Sequence, residues 1–209
     1  MPYHQERKYF EFLKKNLQDD IKAEFENAVS TLIGRYNTSI RENRFTVGGA
    51  IEIFTLGLLR SAEIDALPYS SQEDAGDILL PNHIILSIKS SFRKPHSIRL
   101  MNKQGTGSRD WSTATLFILS GIGILYGDPD MIHECEINDA GDSIMLRSRA
   151  IRRIAKDSSN IIAMKIPEKP DKAAAGSSLM ASNAIARQVL IDEELGELFE
   201  SVKSFLLNR

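Results

Sequence analysis

Glu52, Asp77, Ser87, Ile88 and Lys89 are the residues whose types and spacing point to chemistry in this chain. Asp77 and Lys89 stand at matching ends of two short apolar runs in AGDILLPNHIILSIKSS, joined by Pro81-Asn82. Read as a hairpin, those runs set a carboxylate and an ammonium facing each other. Hydrolysis of a phosphodiester needs oxygen ligands that hold Mg²⁺ against the scissile phosphate. It also needs a cation that orients the attacking water and offsets developing charge. Asp77 supplies one oxygen ligand, Glu52 from a preceding helix a second, and the backbone carbonyl of Ile88 lies beside Lys89, the cation. An ordinary surface hairpin with a turn-capping Asp and a solvated Lys has the same two charged residues, so the pair alone leaves both readings open.

Glu52 strengthens the first reading. From Ala50 to Leu59 the only polar side chains are Glu52 and Thr55. Burying a carboxylate without a partner is costly. Its presence calls for a place near the helix N-terminus, an ion pair or a metal ion.

A helix glutamate, then Gly-Asp-Ile opening one strand, then Ser-Ile-Lys-Ser on the next, resembles the PD-(D/E)XK nuclease superfamily, and more narrowly its type II restriction endonucleases. The likeness spans Gly48 to Ser91, roughly a fifth of the chain. It implies that Asp77 and Glu52, with the Ile88 carbonyl, bind Mg²⁺ and that Lys89 serves the nucleophilic water. It also implies that cleavage leaves 5′-phosphate ends and that a DNA methyltransferase acts as functional counterpart. Two positions depart from the pattern. Gly76 stands where a proline precedes the aspartate, and Ser87 occupies the place of the second acid. Asp110 is the first acid beyond Lys89, so Glu52 is the substitute expected at the site, with Ser87 beside it.

The formal net charge of −2 hides a segregation. No Asp or Glu falls between Ile78 and Arg109, a stretch that contains Lys89, Arg93, Lys94, Arg99, Lys103 and Arg109. Arg147, Arg149, Arg152, Arg153 and Lys156 form a second basic run, while acids gather near both chain ends. One cationic face fits this pattern, and double-stranded DNA is the partner it suggests. Arg93, Lys94, Arg99 and Lys103 would meet phosphates or guanine edges; Asn102 and Gln104 carry groups able to read adenine, and Arg109 adds a further cation. Cutting both strands of a palindrome calls for two related active sites, hence a homodimer. A repair or recombination nuclease of the same superfamily and a non-catalytic DNA-binding protein are the rival expectations.

These residues must be positioned by a fold, and the apolar spacing predicts its elements. Steps of three and four from Phe10 to Tyr36 predict helix over 8–36, and a second helix is expected from Thr46 as N-cap, with Gly48-Gly49 allowing close backbone approach. DILL and HIILSIKSS read as a hairpin and HSIRLM as a strand. ATLFILS and GIGILYG read as strands, although a buried helix through Trp111 to Leu119 has the same pattern. LRSRAIRRIAK reads as helix, NIIAMKIP as a late strand, and Met180 to Leu207 as a terminal helix. The fold expected is mixed α/β, a restriction-endonuclease-like core with a central mixed sheet flanked by helices. A helical N-terminal extension, 1–45, would precede a nuclease core, 46–209, in one compact whole.

Other chemistries lack their residues. The single Cys135 leaves neither an internal disulfide nor a Cys-based zinc set, and His4, His83, His96 and His133 lack zinc spacing. GTGS is not completed by Gly-Lys-Ser/Thr, no G-x-S-x-G elbow occurs, and Pro129-Asp130 reads as a turn. With no apolar run near the about eighteen residues of a membrane span, and no signal-like N-terminus, a cytoplasmic location is expected.

Overall fold

The computed structural model describes residues 2–36, 41–69, 76–102, 111–139 and 143–169. The helix expected over 8–36 is two helices, α1 (His4–Asn16) and α2 (Asp19–Arg35), with Leu17 and Gln18 extended between them. No Gly or Pro breaks the chain there; charge does. Lys14 and Lys15 close α1 and Asp19 and Asp20 open α2, each sign at the helix end whose dipole favours it. Phe10 and Leu13 of α1 and Ile21, Phe25, Val29 and Leu32 of α2 are buried together.

The third helix, α3 (Arg41–Ser61), begins earlier than expected, so Thr46 is an interior residue and not a cap. Val47, Ala50, Ile51, Ile53, Phe54, Leu56, Leu58 and Leu59 are all buried, which makes α3 the inner helix of the layer. The Thr55 hydroxyl donates to the Ile51 carbonyl at 2.7 Å, so it is satisfied within the helix. A side chain at Gly48 would meet nothing within 4 Å among the described residues, so no close approach is made at that glycine there.

Six strands form the central sheet in the order β1 (Leu67–Pro68), β2 (Ile78–Leu80), β3 (Ile84–Ser91), β5 (Thr115–Leu119), β6 (Gly123–Gly127) and β9 (Ile161–Ala163). β3 and β5 run parallel and the other neighbours antiparallel, which makes the sheet mixed. The β2–β3 hairpin forms as its sequence suggests, turning through Pro81, Asn82 and His83. Asn82 at φ 63° takes the left-handed conformation that Asn tolerates better than most residues.

β5 and β6 are buried on both faces, which is why their apolar runs do not alternate. Leu116, Ile118, Ile124 and Tyr126 pack in the core that holds α1–α3. Phe117, Leu119 and Leu125 pack into a second core, with Trp111 capping its margin. Thr115–Leu119 is therefore strand, and the helical alternative through Trp111 is not adopted.

The second core is closed by a small antiparallel sheet, β4 (Ile98–Asn102), β8 (Ser143–Leu146) and β7 (Ile137–Asp139), and by helix α4 (Ser148–Ile154). Parallel strands need a crossover. Here the β3-to-β5 crossover carries β4, so the chain leaving β3 enters the small sheet directly. The coarse class is thus mixed α/β, with helices on one face of the sheet and a sheet plus helix on the other. The terminal helix expected from Met180 lies outside the described residues, as do Lys103, Gln104 and Arg109. No described helix is long and apolar enough to cross a membrane.

Candidate active site

The site follows from where a strand runs out. β2 pairs only with Ile84 to Leu86 of β3, and Asp77, the residue before β2, makes the last backbone contact by donating its N–H to the Leu86 carbonyl. On the other side of β3 the Ser87 N–H donates to the Ala114 carbonyl. By strand alternation the N–H and C=O of Ile88 then face the side where β2 has ended. Both would be orphans there.

Side chains fill the gap. Asp77 Oδ2 accepts from the Ile88 N–H at 2.5 Å, from the Ser87 hydroxyl at 3.0 Å and from Lys89 Nζ at 3.2 Å. Lys89 Nζ also donates to Ser87 Oγ at 2.7 Å and to the Ile88 carbonyl at 3.0 Å. Asp77, Ser87, Ile88 and Lys89 are thereby joined in one closed ring at the sheet edge. Ser87 is buried, and the Asp77 and Lys89 side chains keep 20% and 28% of their exposure, so the ring is partly open to solvent.

Gly76 is part of this construction. A Cβ there would collide with Ile85 Cγ2 and stand 3.3 Å from Tyr69 Cδ1. The departure from proline is a packing requirement, because the chain entering β2 runs directly over Ile85.

Glu52 comes from the helix layer and is half-buried. Burial, then the negative charge of Asp77, push its pKa up to about 7, with the Lys89 ammonium pulling the other way. No described residue hydrogen-bonds its carboxyl. Glu52 and Asp77 are therefore two carboxylates within electrostatic reach of one another, sharing one ammonium.

The donors suit a hard divalent cation. All are oxygens: the Glu52 carboxyl, Asp77 Oδ1, which no described group hydrogen-bonds, and the Ile88 carbonyl. Mg²⁺ is commonly held by one or two carboxylates with water completing its shell. The Lys89 ammonium already sits among Asp77 Oδ2, Ser87 Oγ and the Ile88 carbonyl, so the pocket holds a positive charge as built. The Ile88 carbonyl, expected as a ligand, is turned to Lys89. Among the described residues no group of three or more His, Cys, Asp or Glu side chains assembles, so two carboxylates are what the site offers.

Of the residues expected to meet DNA, Arg93 and Arg99 are exposed, the latter on β4 between the inward Ile98 and Leu100. Lys94 is exposed but paired with Glu168 Oε1 at 2.8 Å, an acid too distant in sequence to be noticed in the acid-free stretch. Asn102 ends β4. Of the second basic run, Arg153 serves structure. It grips buried Glu136 with two bonds of 2.8 and 2.6 Å and donates to the Met131 carbonyl at 2.5 Å, holding the Glu136 pKa down to about 2. HECEI thus supplies an ion-pair partner. Among the histidines, His96 is buried, with Nδ1 3.1 Å from Ser91 Oγ and Nε2 3.2 Å from the Ser120 carbonyl; burial lowers its pKa.

No protein-family model, no curated protein and no solved structure matches this chain.

Proposed function

We propose that the chain is a Mg²⁺-dependent endodeoxyribonuclease resembling a type II restriction enzyme. The observation that carries the reading is the ring of Asp77, the Ile88 carbonyl and Lys89 at one open sheet edge, with the Glu52 carboxyl within electrostatic reach of Asp77 and Lys89.

Glu52 and Asp77 would hold the ion, and Mg²⁺ when bound polarises the scissile phosphate and lowers the pKa of a bound water. Lys89, kept in place by Asp77 and Ser87, orients the attacking water and offsets charge that develops on the phosphate. Ser87 passes no proton in this scheme. Its hydroxyl couples the positions of Asp77 and Lys89. In the same reading two copies act together on a palindrome, cleavage leaves 5′-phosphates, and a methyltransferase of matching specificity protects the cell's own DNA.

One observation favours a second reading, a non-catalytic DNA-binding protein. Asp77 and Lys89 satisfy the N–H and C=O of Ile88, a task any strand end needs performed. Digestion of a sequenced plasmid with and without Mg²⁺ separates the two. Discrete fragments with 5′-phosphate ends, dependent on Mg²⁺ and abolished by Asp77→Asn or Lys89→Ala, are expected. Random nicking points to a repair enzyme. Tight binding to DNA that stays intact in Mg²⁺ sinks the catalytic reading.

A further inference from the structure

The nuclease reading leaves open how the protein grips DNA away from the cleavage point, and the β4–β8 ladder bears on it. Ile98 lies opposite Leu146 and Arg99 opposite Met145. Ile98, Leu100, Ile144 and Leu146 point into the second core, so Arg99 and Met145 point outward. Arg147, two residues past Met145 and exposed, continues that outer row. As the N-cap residue of α4 it stands two residues past Met145, the residue opposite Arg99. Two basic runs distant in sequence thus become one surface.

From Arg147 the chain enters α4. Ala150, Ile151 and Ile154 face the core, which leaves Arg149 and Arg152 exposed three residues apart, with Lys156 four further on. No described residue hydrogen-bonds or ion-pairs the side chains of Arg147, Arg149, Arg152 or Lys156. Two acids that flank the run in sequence are engaged elsewhere: Glu136 by Arg153, and Asp157 by the Ser159 N–H at 2.9 Å. On β3, Lys89 is in register with Phe117, whose side chain belongs to the second core, so Lys89 lies on the side of the central sheet that the small sheet covers.

We propose that Arg147, Arg149, Arg152 and Lys156, together with Arg99, form a phosphate-binding track that seats double-stranded DNA across the small sheet and α4, on the same side of the central sheet as Lys89. The proposal rests on the nuclease reading for the identity of the polyanion. Charge complementarity recommends the surface: guanidinium groups grip phosphate oxygens in pairs, and the chain's net charge of −2 makes attraction depend on such a local concentration.

The test measures binding of a labelled 30-base-pair duplex to the full chain in EDTA across a salt series, so that cleavage plays no part. Arg149→Gln/Arg152→Gln is expected to bind at least about tenfold more weakly at physiological salt. The slope of log K against log salt should shrink by about 1.8, that is about 0.9 for each phosphate no longer neutralised. Lys8→Gln/Lys15→Gln removes the same charge from the exposed side of α1 and should match wild type in both measures. Melting curves establish that each variant is folded. An unchanged slope in the Arg149/Arg152 variant, an equal loss in the Lys8/Lys15 variant, or tighter binding to an acidic polypeptide than to duplex overturns the track. If wild type cleaves plasmid while the Arg149/Arg152 variant binds like wild type, only the track fails. If wild type binds no duplex at any salt, the nuclease reading fails with it.

Discussion

Lys89 Nζ donates to Ser87 Oγ across 2.7 Å, two residues away on the same face of β3. The same hydroxyl donates onward to Asp77 Oδ2, so a residue standing where the nuclease pattern has an acid acts as a neutral bridge between an acid and a base. Its neutrality matters, because Glu52 and Asp77 already bring two negative charges to one ammonium.

Replacing that bridge by a carboxylate, Ser87→Asp, should make stability depend on Mg²⁺. A third acid in this buried position repels Asp77 and Glu52 when no ion is present and ligates an ion when one is. Without Mg²⁺ the variant should melt below wild type. Adding Mg²⁺ to about 100 times its dissociation constant should restore about 2.7 kcal/mol, more than wild type gains. Thermal melts in EDTA and in Mg²⁺ measure this, and equal Mg²⁺ responses in the two proteins would remove the ion from this edge.

Glu52 should make the metal-free protein less stable as pH rises. Its folded pKa, about 7, lies above the ordinary glutamate value, so between about pH 4.5 and 7 the folded state holds the proton more firmly than the unfolded chain. The contribution is complete below the unfolded value and is lost as pH climbs through the folded one. For a half-buried group it is on the order of 2 kcal/mol. Urea unfolding in EDTA at pH 5 and pH 8 should show the decline in wild type and a flatter profile in Glu52→Gln. Calorimetry of Mg²⁺ binding near pH 6.5 should also detect release of a fraction of a proton, absent from the variant.

Gly76→Ala should cost about 1–3 kcal/mol, because the new methyl strikes Ile85 Cγ2, an atom close to the Ile85 backbone, with Tyr69 Cδ1 close as well. If that collision is the cause, the loss in the Gly76→Ala/Ile85→Ala double variant will be smaller than the sum of the singles. A simple sum would place the strain elsewhere.

Glu136→Gln should destabilise by about 2 kcal/mol at neutral pH, since it weakens a two-point charged contact with Arg153. The sign with pH is opposite to that of Glu52. The Glu136 pKa is held down to about 2, so its contribution is present above the ordinary glutamate value and disappears as pH falls toward 2. Acid titration of unfolding should therefore show the wild type losing its advantage over Glu136→Gln between about pH 4.5 and 2.

What could be read from the sequence was local. Pro81-Asn82 between two apolar runs marked the β2–β3 hairpin, and a lone glutamate among the apolar residues of α3 marked Glu52 as needing an explanation. The break between α1 and α2 was also visible, as Lys14-Lys15 followed by Asp19-Asp20, but apolar spacing carries straight across it and hid the signal. Pairings made at long range were not legible. Nothing in the acid-free stretch announces that Glu168 will reach Lys94, or in the second basic run that Glu136 will claim Arg153. That Arg99 faces Met145, two residues before Arg147, is a matter of register between strands more than forty residues apart in sequence. The side-chain ring around Ile88 depends on where β2 stops, and strand length is set by tertiary packing.

A strand whose edge groups stand unpaired is an invitation to another chain, which can add its own strand there. Asp77 and Lys89 withdraw that invitation by occupying both groups of Ile88 and leaving a charge of each sign at the rim. Removing either one does more than empty a candidate active site. It also uncovers a template for self-association, so variants at these two positions should be assayed for oligomers and solubility before a lost activity is assigned to chemistry.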